Sequence, residues 1–227
     1  MKHKSPYSPR SAFTLIELLT VIAIVGVLTA ILLPSLGGTQ RKAKEANKQN
    51  MYRQFFAANS MYVNDNGGRV CLAADNRSGV ELNWRTLMAP YIAEEAMSAI
   101  DPVDAANRAE VFIDPLFDGY DETRPHLTGI GMNTQLRLPE SASVNAYGLQ
   151  GESAAQPMRM SAVTYPESRI FMGDVSSVWF FDSVTASSAL DASRHEGETG
   201  MFLRFDGSIA LLTAADAALG VTDPSRL

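Results

Sequence analysis

The 227 residues, 46% hydrophobic and 19% charged, suffice for one globular head with its own core beyond an N-terminal anchor, and the single Cys71 excludes an intramolecular disulfide. The formal net charge of −6 is unevenly placed: residues 34–53 hold five basic residues against Glu45 alone, whereas residues 54–227 hold 11 Arg, no Lys and 23 Asp plus Glu. So acidic a head excludes a nucleic-acid-binding face, which needs clustered Lys and Arg to displace counterions from phosphates.

Lys2, Lys4 and Arg10 make a basic start, and from residue 13 the chain turns apolar. Residues 13–33 number 21, which as a helix span roughly 32 Å, close to the hydrocarbon thickness of a bilayer. Glu17 stands near the beginning of this run, which continues to Leu33 broken only by Thr20 and Thr29. A carboxylate in hydrocarbon costs a few kcal/mol, so Glu17 belongs near an end of the span or beside a partner. The apolar part of an ordinary secretory signal runs about 7 to 15 residues and ends at a small-x-small site. Here the run is longer and passes into Pro34, Gly37 and Gly38 and then a polar helical stretch. The proline and glycines are expected to bend or locally melt the helix. Arg41, Lys42, Lys44, Lys48 and Arg53 follow and outnumber the three basic residues before the span, so the positive-inside count alone would invert the protein.

From residue 41 to about 62, Met51, Phe55, Ala58 and Tyr62 recur at spacings of four, three and four, one face of an amphipathic helix that should pack on a sheet. Asn64-Asp65-Asn66-Gly67-Gly68 stops it with turn-formers. Residues 84–89 read as a short helix broken at Pro90, followed by loops punctuated at Asp101-Pro102 and Asp114-Pro115. Residues 170–172 and 178–181 read as strands, and 201–205 with 208–212 as a hairpin on the two-residue turn Asp206-Gly207. Cys71 reads as a small buried hydrophobe rather than a nucleophile.

The string Ser11-Ala12-Phe13-Thr14-Leu15-Ile16-Glu17, with Arg10 before it and Pro34 after the apolar run, resembles the prepilin leader and N-terminal helix shared by type IV pilins and type II secretion pseudopilins. The resemblance implies that a membrane-embedded aspartyl prepilin peptidase cuts between Ala12 and Phe13 and methylates the new amino group, the apolar helix remaining as anchor and later as filament core. Ala12 stands where the family usually has Gly, a small-for-small exchange expected to be tolerated. The resemblance further implies that Glu17 pairs with the Phe13 amine of a neighbouring subunit and sets axial register, and opposite charges in low dielectric do attract strongly. It puts the leader in the cytoplasm, against the charge count, and the head in the periplasm. Pro34 lies where the pilin helix is often kinked. The basic neck then meets anionic lipid headgroups, acidic heads of neighbouring subunits, or only solvent.

A second resemblance, to pseudopilin-like proteins common in planctomycete- and verrucomicrobial-type bacteria, rests on Arg53-Gln54, Met61-Tyr62, Asn64-Asp65-Asn66, Gly131-Met132-Asn133, residues 166–174, and Arg194-His195 leading to Asp206-Gly207. The terminal motif of that group is His, nine residues, Asp-Gly. Here ten residues separate His195 from Asp206, so a fixed pairing between them stays open and a bulge or longer loop before the strand is admitted. His195 is read as a structural hydrogen-bonding residue at a strand entrance, ahead of ligand or metal contact and of catalysis.

Related major pseudopilins hold calcium through loop carboxylates and carbonyls, and Asp174, Asp182 and Asp191 could contribute to such a site, although no EF-hand spacing exists and solvated acids are the commoner explanation. No cofactor is otherwise expected. With three His, no Gly-x-Ser-x-Gly elbow and no Walker-type loop, the chain is read as no enzyme.

The expected architecture is α+β, a long N-terminal helix packed on a small antiparallel sheet. Its parts are a leader at 1–12, a membrane and filament-core helix at 13–33, an amphipathic continuation at 34–62 and a head at 63–227. The expected function is a pseudopilus subunit of a type II secretion system, single-pass in the inner membrane before assembly. Its partners are prepilin peptidase, copies of itself, other pseudopilins and the inner-membrane assembly platform. A type IV or competence pilus subunit, and a membrane-anchored ligand-binding head or enzyme that reuses the leader, are the alternatives.

Overall fold

Thr14 opens a helix, α1 (Leu15–Asp65), that carries the chain's two periodicities in turn, apolar all round and then apolar on one face, in a computed structural model of the protein. The structure describes residues 14–75, 82–99, 101–134, 137–138, 156–176, 180–181 and 186–223. The chain divides into two compact units, Met1–Ala43 and Lys44–Leu227. The helical pattern runs through Pro34, Gly37 and Gly38 without a gap, so the local melting expected there does not occur. A proline has a helical φ and forfeits one N–H bond, a loss the turns on either side can sustain.

In the first unit, every large apolar side chain from Leu15 to Ile31 is at least half exposed, from 50% at Val21 to 81% at Leu15. A helix that is apolar on all sides and meets no protein requires lipid or other helices around it. Among the described residues no helix is long and apolar enough to cross a membrane, and the described side chains of this stretch stop at Ile31.

In the second unit, α1 buries Lys48, Met51, Tyr52, Phe55, Ala58, Asn59 and Tyr62, one stripe at helical spacing that contains all four residues expected there. The helix ends in a Schellman motif: the Gly68 N–H donates to the Val63 carbonyl at 2.8 Å and Gly67 takes a φ of +64°.

The chain then pairs β1 (Ala74–Asp75) with β2 (Leu82–Asn83) and enters three helices, α2 (Trp84–Ile92), α3 (Glu94–Met97) and α4 (Pro102–Arg108). Two expectations are corrected here. The helix opening at Trp84 is not broken at Pro90 but runs to Ile92, the proline forfeiting its own N–H bond while the Ala93 N–H still closes the last turn on the Ala89 carbonyl. Asp101-Pro102 is a helix start and not a loop mark, with the Asp101 side chain accepting from the Val103 and Asp104 N–H groups and the proline at the first turn.

The main sheet is built from β3 (Ile130–Asn133), β6 (Ile170–Asp174), β7 (Phe180–Phe181), β8 (Gly200–Arg204) and β9 (Ile209–Leu212). Its order is β7-β3-β6-β8-β9, antiparallel from β3 to β9, with β7 parallel to β3 at one edge. Two minor strands, β4 (Arg137–Leu138) and β5 (Gln156–Pro157), pair separately, and α5 (Ala186–Ala189) and α6 (Ala214–Thr222) complete the described elements.

Alternation along β8 sends Met201 and Leu203 to the core shared with α1 and Phe202 to a second core with Ile170, Val175, Leu190, Ala217 and Val221. A bulge in β6 at Phe171 puts Phe171 and Met172 in the α1 core together. That core is aromatic at its centre, with Phe55 5.6 Å from Trp84, 5.7 Å from Phe112, and Trp84 5.5 Å from Phe112 between ring centroids. Burying each ring contributes about 1.5–3 kcal/mol.

The β8–β9 connection corrects the expected two-residue turn. Arg204 N–H donates to the Ser208 carbonyl at 2.9 Å and Gly207 N–H to the Arg204 carbonyl at 3.1 Å, leaving a three-residue loop, Phe205-Asp206-Gly207. Gly207 closes it at φ +86°, the type I turn with a glycine bulge that suits a right-twisted ribbon.

Candidate functional site

Two polar constellations stand out against this apolar framework, one at each end of the problem of holding a head on a helix. At the start of α1, Glu17 Oε2 accepts from the Thr14 N–H at 2.8 Å and from its Oγ1 at 2.7 Å, while the Glu17 N–H donates back to Thr14 Oγ1 at 3.3 Å. This is a capping box, in which Ser/Thr and a Glu three residues on satisfy each other's orphaned amides. Glu17 thus has an intrahelical partner in the single chain. The expected cleavage residues Ala12 and Phe13 lie outside the described residues, as does the side chain of Pro34.

The second constellation is a buried charge cluster under the sheet. Lys48 Nζ, fully buried, lies 2.6 Å from Asp114 Oδ2 and 2.5 Å from Asp174 Oδ1, both carboxylates also buried. Arg194 Nη1 donates to the same Asp114 oxygen at 2.6 Å and to the Gly129 carbonyl at 2.7 Å, its Nη2 donates to the Val175 carbonyl, and its Nε reaches Asp191 at 2.9 Å. Tyr52 OH bridges Asp174 Oδ1 and the Met201 carbonyl, each at 3.1 Å, and the Met201 N–H donates to Asp174 Oδ2 at 3.0 Å.

Charge and geometry set the titration of this group. Burial pushes the Asp174 carboxyl up, but the Lys48 ammonium, helped by His195 and Arg194, outweighs it and holds the pKa at about 2. The Tyr52 hydroxyl is pushed well up, chiefly by burial and then by Asp174 and Asp114, so it stays a phenol and a donor. Two cations and two carboxylates therefore meet in a dry core with their donors and acceptors matched, the condition under which a buried ion cluster is tolerated.

His195 belongs to this cluster. Its backbone N–H donates to the Thr199 carbonyl at 3.1 Å across a tight turn in which Gly197 and Glu198 take φ values of +75° and +54°, just before β8. The ring, nearly fully buried, places Nε2 3.3 Å from Asp174 Oδ2 and Nδ1 3.5 Å from Glu45 Oε1 on α1, close approaches that fall short of hydrogen-bond geometry. The Asp206 carboxylate instead accepts from the Ser208 N–H at 2.8 Å, and Gly207 sits against the Phe56 ring of α1, where an added Cβ would come within 2.9 Å. His195 and Asp206-Gly207 are thus two separate contacts to one helix, with no fixed pairing between them.

Of the acids considered for calcium, Asp174 is taken up by Lys48, Asp191 accepts from Arg194 and from Ser193, and Asp182 lies outside the described residues. Among the described residues no three His, Cys, Asp or Glu gather to hold a metal. Cys71 is buried, its Sγ 3.6 Å from the Leu72 carbonyl.

Sequence reasoning missed Lys48, Asp114 and Tyr52 as site residues. Lys48 was one basic residue in a basic neck; only its place four residues before Tyr52 and seven before Phe55, on the apolar stripe, marked it as inward-facing. Arg85 was missed as well: it is fully buried, 4.5 Å over the Trp84 ring, donates to the His126 carbonyl and to Thr128 Oγ1 at 2.8 Å, and burial lowers its pKa to about 9.

A long N-terminal helix whose second half packs on a small antiparallel sheet is consistent with the pilin-like class of fold. Residues 7–33 match the family described as the prokaryotic N-terminal methylation motif, which supports a membrane-anchored, type IV pilin-like subunit processed by a prepilin peptidase. Neither a curated protein nor a solved structure gives a significant match to the chain. The motif family is structural rather than enzymatic.

Proposed function

We propose that this chain is a structural subunit of a periplasmic pseudopilus in a type II secretion system, cut between Ala12 and Phe13, N-methylated, and drawn from the inner membrane into a filament by the assembly platform. The observation that carries the reading is the methylation motif at residues 7–33 joined to a stem whose large apolar side chains, from Leu15 to Ile31, have no protein against them. Such a surface is satisfied by lipid before assembly and by parallel copies of itself afterwards. Glu17 exchanges its intrahelical Thr14 bonds for the cationic Phe13 amine of the next copy, a stronger partner in low dielectric.

The buried cluster of Lys48, Asp114, Asp174 and Arg194 ties the helix turn at Lys48 to the sheet and loops of the head. Deleting the gene is expected to leave secreted proteins in the periplasm, with rescue by the wild-type chain and not by Glu17→Gln, which still inserts in the membrane. Full rescue by Glu17→Gln rejects the role of that carboxylate; unimpaired secretion together with lost surface fibres reassigns the chain to a pilus.

A further inference from the structure

The outer side of α1 beyond the buried stripe is uncovered near its C-terminal end. Ala57, Ser60, Met61, Asn64 and Asp65, with Tyr91 from α2, line a groove of about 640 Å³. Met61 is 54% exposed. The Ser60 hydroxyl turns back to donate to the Phe56 carbonyl at 2.8 Å, so the floor presents mostly methyl, methylene and thioether surface. Residues 57, 60, 61 and 64 recur at the spacing of a helix ridge, which is the surface a second helix packs against. The lining is acidic at Asp65, bonded to Tyr91 OH at 3.0 Å, and the exposed Glu94 and Glu95 of α3 follow Tyr91 by three and four residues.

The same chain carries a helical segment of opposite character. Along residues 42–46 the exposed Lys42 and Lys44 alternate with the exposed, small Ala43 and Ala46. The other two basic residues counted toward the neck beyond them are committed, Lys48 to the buried cluster and Arg53 to Asn50 Oδ1 at 2.8 Å. A helix with small side chains and lysines at its edges can lie close in a shallow groove while its ammonium groups reach an acidic rim.

We propose that the groove of one copy receives the Lys42–Lys44 neck of a second copy of this chain, with the lysines on Asp65, Glu94 and Glu95. The proposal rests on the assembly reading above, because it needs stems that run parallel. From Lys44 to Met61 is 17 residues, so parallel α1 helices offset axially by roughly 25 Å bring neck and groove side by side. The interface joins subunits that are not in axial register, and it pairs the neck, with a net positive charge, to a head whose net charge is negative: like segments repel, and the staggered arrangement brings opposite ones together.

The test is a short bismaleimide crosslink on assembled protein in membranes, in a Cys71→Ala background that carries Ser60→Cys and Lys44→Cys together. The expected result is a ladder of covalent oligomers with the double variant and none with either cysteine alone. Lys42→Glu with Lys44→Glu should lower filament yield at least about tenfold, and adding Glu94→Lys with Glu95→Lys should restore it. Wild-type filaments with no ladder, or charge reversals that leave yield unchanged, overturn the interface while leaving assembly standing; a Ser60→Cys adduct to a different protein overturns the choice of occupant. A processed wild-type chain that never sediments as filament removes the assembly reading, and this interface with it.

Discussion

Replacing Lys48 with Met removes the ammonium between two buried carboxylates while keeping the length and apolar stem of the side chain. Asp114 retains Arg194 and the Leu116 N–H at 2.8 Å, and Asp174 retains Tyr52 OH, the Met201 N–H and His195. What is lost is the cation that holds Asp174 at about 2 instead of its ordinary 3.8, which near neutral pH corresponds to about 2 kcal/mol. The buried, now uncompensated charge of the pair raises the total to about 3–5 kcal/mol. With a urea slope near 2 kcal/mol/M, the unfolding midpoint of the full chain in detergent, followed by tryptophan fluorescence, falls by roughly 1.5–2.5 M. Because the folded value of Asp174 lies below its unfolded value, its contribution is complete above the ordinary 3.8 and is lost as pH falls toward 2. In Lys48→Met the folded carboxyl is protonated at higher pH, so the fall in stability between 3.8 and 2 shrinks and part of the damage disappears in acid. A midpoint within about 0.3 M of wild type, with an unchanged acid limb, refutes the clamp.

Three further outcomes follow from separate contacts. Gly173→Ala, whose Cβ would come 2.0 Å from the Phe202 ring, costs about 2–3 kcal/mol, and Phe202→Leu in the same chain recovers part of it in the same urea assay. Arg85→Met costs less than Lys48→Met, about 1–2 kcal/mol, because it gives up bonds to neutral acceptors while relieving a buried cation whose Nε and Nη1 have no partner; an equal or larger loss contradicts that reading. Thr14→Val leaves the apolar helix intact but removes the hydroxyl that shares Glu17, so first-turn amides should exchange roughly ten times faster in micelles, and unchanged protection rules out the capping box.

The stripe of Met51, Phe55, Ala58 and Tyr62 was legible because an amphipathic helix repeats its burial every three or four residues, and all four lie in the core. The hairpin was legible from Asp206-Gly207, but not its loop length: two- and three-residue loops both accept that pair, and the choice is made by Phe205, whose ring packs 4.8 Å from Phe171. The helix at Asp101-Pro102 and the continuation of α2 past Pro90 were misread because proline marks both a loop and the first turn of a helix, and only the amide partners distinguish them. The final helix α6, with Thr213 accepting from the Asp216 N–H at 3.2 Å, was not anticipated, although Thr-x-x-Asp is a start signal of the same kind.

The ion cluster was the least legible part. Arg194-His195 was singled out as a motif, but its partners Lys48, Asp114 and Asp174 are distant in sequence and belong to α1, a loop and β6. A lysine among neck lysines and an aspartate before proline each have a solvated explanation until the fold brings them together. Charge pairing across such separations leaves no periodic trace, whereas burial of an apolar face does.

The central claim, that the chain is a processed pilin-like subunit, is tested most directly by N-terminal sequencing and intact mass of the protein extracted from membranes of cells that carry a prepilin peptidase. The expected product is a chain beginning at N-methylated Phe13. A chain that still begins at Met1 contradicts it and leaves a membrane-anchored head whose function must be sought in ligand binding.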